Sequence, residues 1–341
     1  MNSNELNKYV SNFNNIWENK CKNNKNLPNI LPAVDRIIVI GDIHGDINIL
    51  YKCLLIGKVI NKDLEWIGGE TVVVQVGDQI DSCRYDGINS CNDKNNYKLD
   101  EANDINILYF MTLLHEKALK QGGAVYSLLG NHELMNVMGE STYVSYNNNN
   151  MFNNYMIDGK IIKDGMTARK ILFSPGNKLS TFLACTRKIA LIIGNYLFVH
   201  AGIVPQMINK YKIDDLNKLL TLFLLDELKD PHIFQDVIMS SKYSPLWTRE
   251  FGNVNMTHEK CNELMEPIET IYKVGRIIVG HTPQLKKGIT KICNNRIILT
   301  DVGMSNAFDN FDETKIKTGI KNKNRNAQVL EILKNKLTIL V

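Results

Sequence analysis

The stretch RIIVIGDIHGDINIL, residues 36–50, decides how the chain reads. Ile37, Ile38, Val39 and Ile40 are consecutive β-branched residues, the pattern of a strand buried on both faces. Gly41 ends the run, and Asp42, His44 and Asp46 follow at once. A buried strand does not run into that much charge unless something meets the charge, because unpaired buried carboxylates are strongly disfavoured.

The arrangement recurs in TVVVQVGDQID (71–81), AVYSLLGNHE (124–133), KIALIIGNYLFVHAG (188–202), RIIVGHTPQ (276–284) and RIILTDVG (296–303). Between them lie helical patterns, INILYKCLLIGKVI (47–60) and INILYFMTLLHEKALKQGG (105–123), the second stopped by glycine. Strands alternating with helices predict an α/β fold with a partly parallel sheet, and the Gly194-Asn195 pair predicts a hairpin that makes the sheet system mixed.

With 44% hydrophobic and 22% charged residues over 341 positions, the chain is a globular one. Its formal charge of +4 is too slight to call for nucleic acid or a membrane surface as partner. The N-terminus lacks the apolar core of a signal peptide, and the longest apolar run, 189–205, is interrupted by Gly, Asn and His and ends at Pro205, so no membrane span is expected. Seven cysteines, an odd number without a CxxC pair, predict no disulfide framework and a reducing, cytoplasmic setting. Residues 1–30 read as a polar extension and 31–341 as one domain, with surface excursions at 84–100 and 141–165; NNNN (147–150) and KNKNRN (321–326) read as solvated loop.

Ligands of α/β sheets collect past the carboxyl ends of strands. There the chain delivers Asp42 and His44, then Asp78 and Asp81, then Asn131 and His132, then His200, then His281. The three other histidines, 115, 232 and 258, lie in helical or loop contexts. Carboxylates, imidazoles and one amide oxygen are the donors that two divalent cations sharing a carboxylate require. No cysteine stands at a strand end, which disfavours copper and a structural Cys-type zinc site. The glycine before each group is expected to tolerate positive φ and to leave room for backbone.

In order and over roughly residues 36–305, GDIHGD, GDQID, GNHE, VHAG and GHTPQ resemble the phosphoprotein phosphatase family of calcineurin-like metallophosphoesterases. GNHELMNVMGE (130–140), SPLWTRE (244–250) and DVGMSNAF (301–308) look most like its Shewanella-like branch. The resemblance implies a central β-sandwich of two mixed sheets flanked by helices. It assigns one cation to Asp42, His44 and Asp78, a second to Asp78, Asn131, His200 and His281, and makes His132 the general acid with Asp81 as its partner. The ions would be Mn, Fe or Zn. The implied activity is a metal-dependent phosphomonoesterase acting on phosphoproteins, in which a hydroxide shared by the cations attacks phosphorus.

One departure stands out. The family carries an arginine directly after the last Asp of GDxxD, whereas here Ser82 and Cys83 intervene before Arg84. Arg84 and Arg249 are the phosphate clamps expected, with Arg187 a weaker candidate and Trp247 a packing residue beside Arg249. Cys83 lacks the CxxxxxR cradle of cysteine phosphatases and is read as an oxidation-sensitive neighbour of the site. Hydrolysis of a small molecule such as a dinucleoside polyphosphate is the alternative, and an inactive scaffold a remote one that the intact ligand set argues against.

Overall fold

The computed structural model describes residues 3–22, 24–85, 89–96 and 101–341. Its strands are β1 (Ile30–Leu31), β2 (Arg36–Ile40), β3 (Val72–Gln75), β4 (Ala124–Ser127), β5 (Tyr155–Ile157), β6 (Lys160–Ile162), β7 (Ala190–Ile193), β8 (Tyr196–Val199), β9 (Arg276–Val279), β10 (Thr290–Ile292), β11 (Ile297–Leu299), β12 (Val329–Leu333) and β13 (Lys336–Leu340). They make two mixed sheets, ordered β1-β7-β8-β9-β11-β10 and β13-β12-β2-β3-β4, beside a separate β5-β6 hairpin. Helices flank the sheets, so the architecture is the α/β sandwich implied by the sequence.

In the five-stranded sheet β2, β3 and β4 are parallel, with Ile38 opposite Val73 and Val73 opposite Val125. Helices Ile47–Ile56 and Asp104–Leu119 carry the chain between them. In the other sheet β7 and β8 form the expected hairpin, and β8, β9 and β11 run parallel. Parallel neighbours release their carboxyl ends at one edge. A lone parallel bridge, Leu128 to Lys188, joins the strand-end segments of the two sheets there.

Why the strands read as unbroken apolar runs follows from burial on both faces. In β7 and β8, Leu191, Ile193, Tyr196 and Phe198 enter one cluster with residues of the five-stranded sheet, among them Val39, Val74 and Val329. Their alternates Ala190, Ile192, Leu197 and Val199 enter a second cluster under the helices, with Leu183, Leu219 and Leu220. The period-2 alternation of a strand divides one sequence run between two cores.

Several expectations are corrected. Six of the seven cysteines are paired, as Cys21–Cys185, Cys83–Cys91 and Cys261–Cys293, which leaves Cys53 buried and free. Cys83 is therefore no free thiol, and the premise for a reducing compartment is removed. An odd count leaves one thiol over without forbidding pairs, and partners 164 residues apart escape any search for local spacing. The NNNN run belongs to helix Tyr146–Asn150, where Asn148 and Asn149 are buried and Asn148 Oδ1 accepts from Asp104 N at 3.1 Å. KNKNRN contains the fully buried Arg325, which binds the DVGMSNAF loop through Gly303 O at 2.7 Å and Ser305 O at 2.8 Å. In both runs a buried polar side chain satisfies backbone that turns away from regular structure, a role that composition does not show. Within the first thirty residues, Phe13, Trp17 and Cys21 are buried in the helix-side core, and β1 pairs in parallel with β7. The excursion at 84–100 lies partly outside the described residues.

Candidate metal centre and active site

Asp78 is the hub. Its Oδ2 lies 3.7 Å from His44 Nε2 and 3.9 Å from His132 Nε2, while its Oδ1 lies 3.4 Å from His200 Nε2. Asn131 Oδ1 is 2.9 Å from His200 Nε2 and 2.8 Å from His281 Nδ1. His44 Nε2 is 4.0 Å from Asp42 Oδ2, which also accepts from His281 N at 3.0 Å. All six expected ligands, Asp42, His44, Asp78, Asn131, His200 and His281, are thus brought together, each nine-tenths or more buried. Two overlapping groups with metal-holding geometry share Asp78: His44, Asp78 and His132, and Asp78, His200 and His281.

Local backbone explains how residues so far apart converge. His44, Asp78, Asp81 and His281 themselves have positive φ, from +46° to +72°. Left-handed backbone on four non-glycine residues is held only where the surroundings over-determine it, and such strain clusters at functional sites. The glycines mostly serve differently from expectation. Gly77 has φ +105°, but Gly41, Gly130 and Gly280 are small for room: a Cβ would lie 2.1 Å from Thr300 O, Asp78 Oδ1 and Asp42 Oδ1, respectively. Glu133, the last residue of GNHE, collects the backbone N–H groups of Gly130 (2.8 Å), Gln79 (2.7 Å), Asp78 (3.1 Å) and Ile80 (3.2 Å), tying the β3 and β4 ends together.

The charges suit cations. Burial, reinforced by Asp301 and Asp78, raises the Asp42 carboxyl well above the usual range. Burial also pushes Asp301 up to about 6, and burial with the Asp78 charge raises Glu133. Burial would raise Asp78 too, but His200 and His132 pull it well below normal. Burial and neighbouring cationic groups hold His44 low and His281 at about 3, so both imidazoles are neutral and ready to donate. Asp42 Oδ1 and Asp301 Oδ2 are buried with no hydrogen-bond partner. Orphaned carboxylate oxygens beside neutral imidazoles fit divalent ions, and the oxygen-and-nitrogen donor set fits Mn, Fe or Zn.

His132 Nδ1 meets Asp81 Oδ2 at 2.8 Å, and Asn136 Nδ2 donates to Asp81 Oδ1 at 2.9 Å. Behind them the buried Arg169 donates to Asn136 Oδ1 and to Asp104 Oδ2, both at 2.8 Å, and Asp104 Oδ1 accepts from Asp81 N at 3.1 Å. The pair predicted from sequence therefore rests on a fully buried network. Arg169 sits in an ordinary helix, Gly165–Phe173, and carries no motif by which sequence could reveal it.

Despite the two-residue displacement, Arg84 reaches the site. Its Nη2 is 3.0 Å from His44 Nδ1 and 3.4 Å from His132 Nε2, and its guanidinium lies over Tyr143 and Phe308, 5.0 and 4.7 Å from the ring centroids. Arg249 is exposed at the rim, donating to His281 O at 3.1 Å. Arg84, Arg249, Trp247, His44, His132 and His281 line a cavity of about 260 Å³ that opens beside a polar groove of about 680 Å³, which shares His44 and Arg84. Trp247 O accepts from His281 Nε2 at 3.0 Å. Arg187 lies elsewhere, bound to Gln79 Oε1 at 2.9 Å and Leu108 O at 2.8 Å, and is a structural residue. His115, His232 and His258 take no part in the centre.

A sandwich with six buried metal-type donors at its strand ends is the architecture of a metallophosphoesterase. Residues 35–285 match the family described as calcineurin-like phosphoesterase, and the chain belongs to that family, whose members use divalent metals. It is 35% identical over 253 residues to an uncharacterised protein, R398, of Acanthamoeba polyphaga mimivirus, a match covering 67% of this chain and 96% of that one. Shewanella-like protein phosphatases are among its homologues: it is 26% identical to Shewanella-like protein phosphatase 2 of Arabidopsis thaliana, covering 80% of this chain and 72% of the relative. The fold of a cold-active protein tyrosine phosphatase superposes with a TM-score of 0.67 at 21% identity, over 92% of this chain and 78% of the other.

Proposed function

We propose that the chain is a metal-dependent phosphomonoesterase of phosphoproteins, with residues 31–341 as its catalytic unit. One observation carries the reading: the Asp78 carboxylate stands between two histidine sets, one oxygen toward His200 and the other toward His44 and His132. A carboxylate so placed could serve two cations at once. One ion would be held by Asp42, His44 and Asp78, the other by Asp78, Asn131, His200 and His281. Such a pair supplies a nucleophilic water at neutral pH and neutralises charge developing on the phosphoryl oxygens.

The chain's own residues do the rest. Arg84 and Arg249 flank the cavity and clamp the phosphoryl group, orienting phosphorus for in-line attack. His132, its Nδ1 fixed by Asp81, presents Nε2 to the cavity. As the P–O bond to the leaving group breaks, His132 gives that oxygen its proton, and Asp81 stabilises the ring. The adjoining groove gives a peptide chain a place to lie, and the protein phosphatases among the relatives favour a phosphoprotein over a dinucleoside polyphosphate. The three disulfides favour an oxidising compartment over the cytoplasm.

Metal-stripped protein should be inactive on an aryl phosphate and recover with Mn²⁺, Fe²⁺ or Zn²⁺. His132→Asn should lower kcat by roughly 10²–10⁴-fold with little change in KM. Full turnover by that variant contradicts the proton-donor role, and hydrolysis of diadenosine tetraphosphate in preference to phosphopeptides contradicts the substrate class.

A further inference from the structure

Resting on the two-cation reading, we propose that Asp301 is a further carboxylate of the metal centre, serving the ion beside Asp42 and His44 and making that site the harder of the two.

Asp301 follows β11, in the sheet opposite to β2. The two strand ends touch: a Cβ on Gly41 would lie 2.1 Å from Thr300 O and 3.2 Å from Asp301 N, so the chain sets Asp301 against the backbone that leads into Asp42. Asp301 is 1% exposed and lines the same cavity as His44 and Asp78. Its Oδ1 accepts from Gly303 N at 2.9 Å, which closes a local turn and accounts for that oxygen. Its Oδ2 has no partner, and neither has Asp42 Oδ1. A turn of this kind needs one acceptor and no charge, and asparagine would make it equally well. The spare oxygen, and the negative charge it carries once the proton is lost, are left for a ligand, and a buried carboxylate oxygen in a cavity already lined by Asp78 and His44 suits a cation.

The position is fixed from behind. Arg325, fully buried, holds Gly303 O and Ser305 O, and Ser305 Oγ donates to His44 O at 3.2 Å. The loop that presents Asp301 is thereby tied to the loop that presents His44. With Asp301 counted, the first ion faces three carboxylates and one imidazole, whereas the second faces one carboxylate, one amide and two imidazoles. Carboxylate-rich sets suit Mn²⁺ or Mg²⁺, and imidazole-rich ones suit Zn²⁺ or Fe²⁺.

The test uses full-length, metal-stripped protein with Mn²⁺ and Zn²⁺ as probes, read by calorimetric titration and by the electron spin resonance of free Mn²⁺. Wild type should take two Mn²⁺. Asp301→Asn, which keeps the turn, should bind one of them about 10–100-fold more weakly, and should keep wild-type affinity for one Zn²⁺. Asp301→Ser, which also offers Gly303 an acceptor, should behave alike, and both variants should unfold cooperatively when metal-free. Two Mn²⁺ with unchanged affinities in both variants overturn the role of Asp301 alone. Fewer than two ions in wild type overturn it together with the two-cation reading.

Discussion

At the scale of single residues, the centre is an accumulation of buried charge that only other buried charge makes tolerable. Arg169 joins Asp104 by an ion pair at 2.8 Å, with Asp81 Oδ1 3.9 Å away. Removing one partner of such a pair strands the other, so Arg169→Ala should cost about 3–5 kcal/mol in denaturant unfolding. It should also lower kcat more than it changes KM, because His132 loses its support. The contribution of Asp301 to the pH dependence of metal-free protein has a definite sign. Asp301, held at about 6, binds its proton more tightly in the folded than in the unfolded chain. Its contribution to stability is therefore full below the ordinary aspartate value near 4 and lost as pH rises through about 6. Added Mn²⁺ should reverse the trend, since metal displaces that proton, and the metal-induced rise in Tm should grow over the same interval. The difference between the thermal melts of wild type and Asp301→Asn at pH 4–7, with and without Mn²⁺, checks both slopes, because His44 and His281, held low, add a slope of opposite sign that is common to the two proteins. The six metal-type donors and His132 were legible because an apolar run, a glycine and a polar group recur in one pattern. Arg169, Glu133 and Asp301 were not assigned, since a lone arginine in a helix, or an acid after a strand, looks the same whether it caps a turn or braces a catalytic pair.

At the scale of elements, strands and helices followed from periodicity, while covalent and capping features did not. The predicted helix over 105–123 is observed as Asp104–Leu119, and the 188–202 hairpin as β7 and β8. Apolar runs fix such elements through burial, which sequence shows directly. The disulfides and the buried Asn148 depend on which surfaces meet after folding, and that information is nonlocal. Cys21–Cys185 ties the N-terminal helices to the helix Lys178–Thr186 across 164 residues. By loop-closure entropy such a bridge is worth about 5 kcal/mol, so reduction, or Cys21→Ser, should lower Tm markedly and expose Trp17 to fluorescence quenchers. Gly130 faces the Asp78 carboxylate where a methyl group would lie 2.1 Å from Oδ1. Gly130→Ala should therefore abolish activity by pushing the β3 and β4 ends apart, which loss of Mn²⁺ binding would register.

At the scale of the whole molecule, two sheets meet so that β2, β3 and β4 from one, and β8, β9 and β11 from the other, release their carboxyl ends into one space. The sandwich core supplies rigidity, and the strained loops draw on it to hold buried acids and imidazoles a few ångströms apart. Everything proposed about catalysis requires that this space hold two ions, one on either side of Asp78. Anomalous diffraction from crystals soaked in Mn²⁺ tests it most directly. The account predicts two peaks about 3.5–4 Å apart, one between Asp42 and His44 and the other between His200 and His281, with Asp78 touching both. A single peak, or none within reach of Asp78, would contradict it.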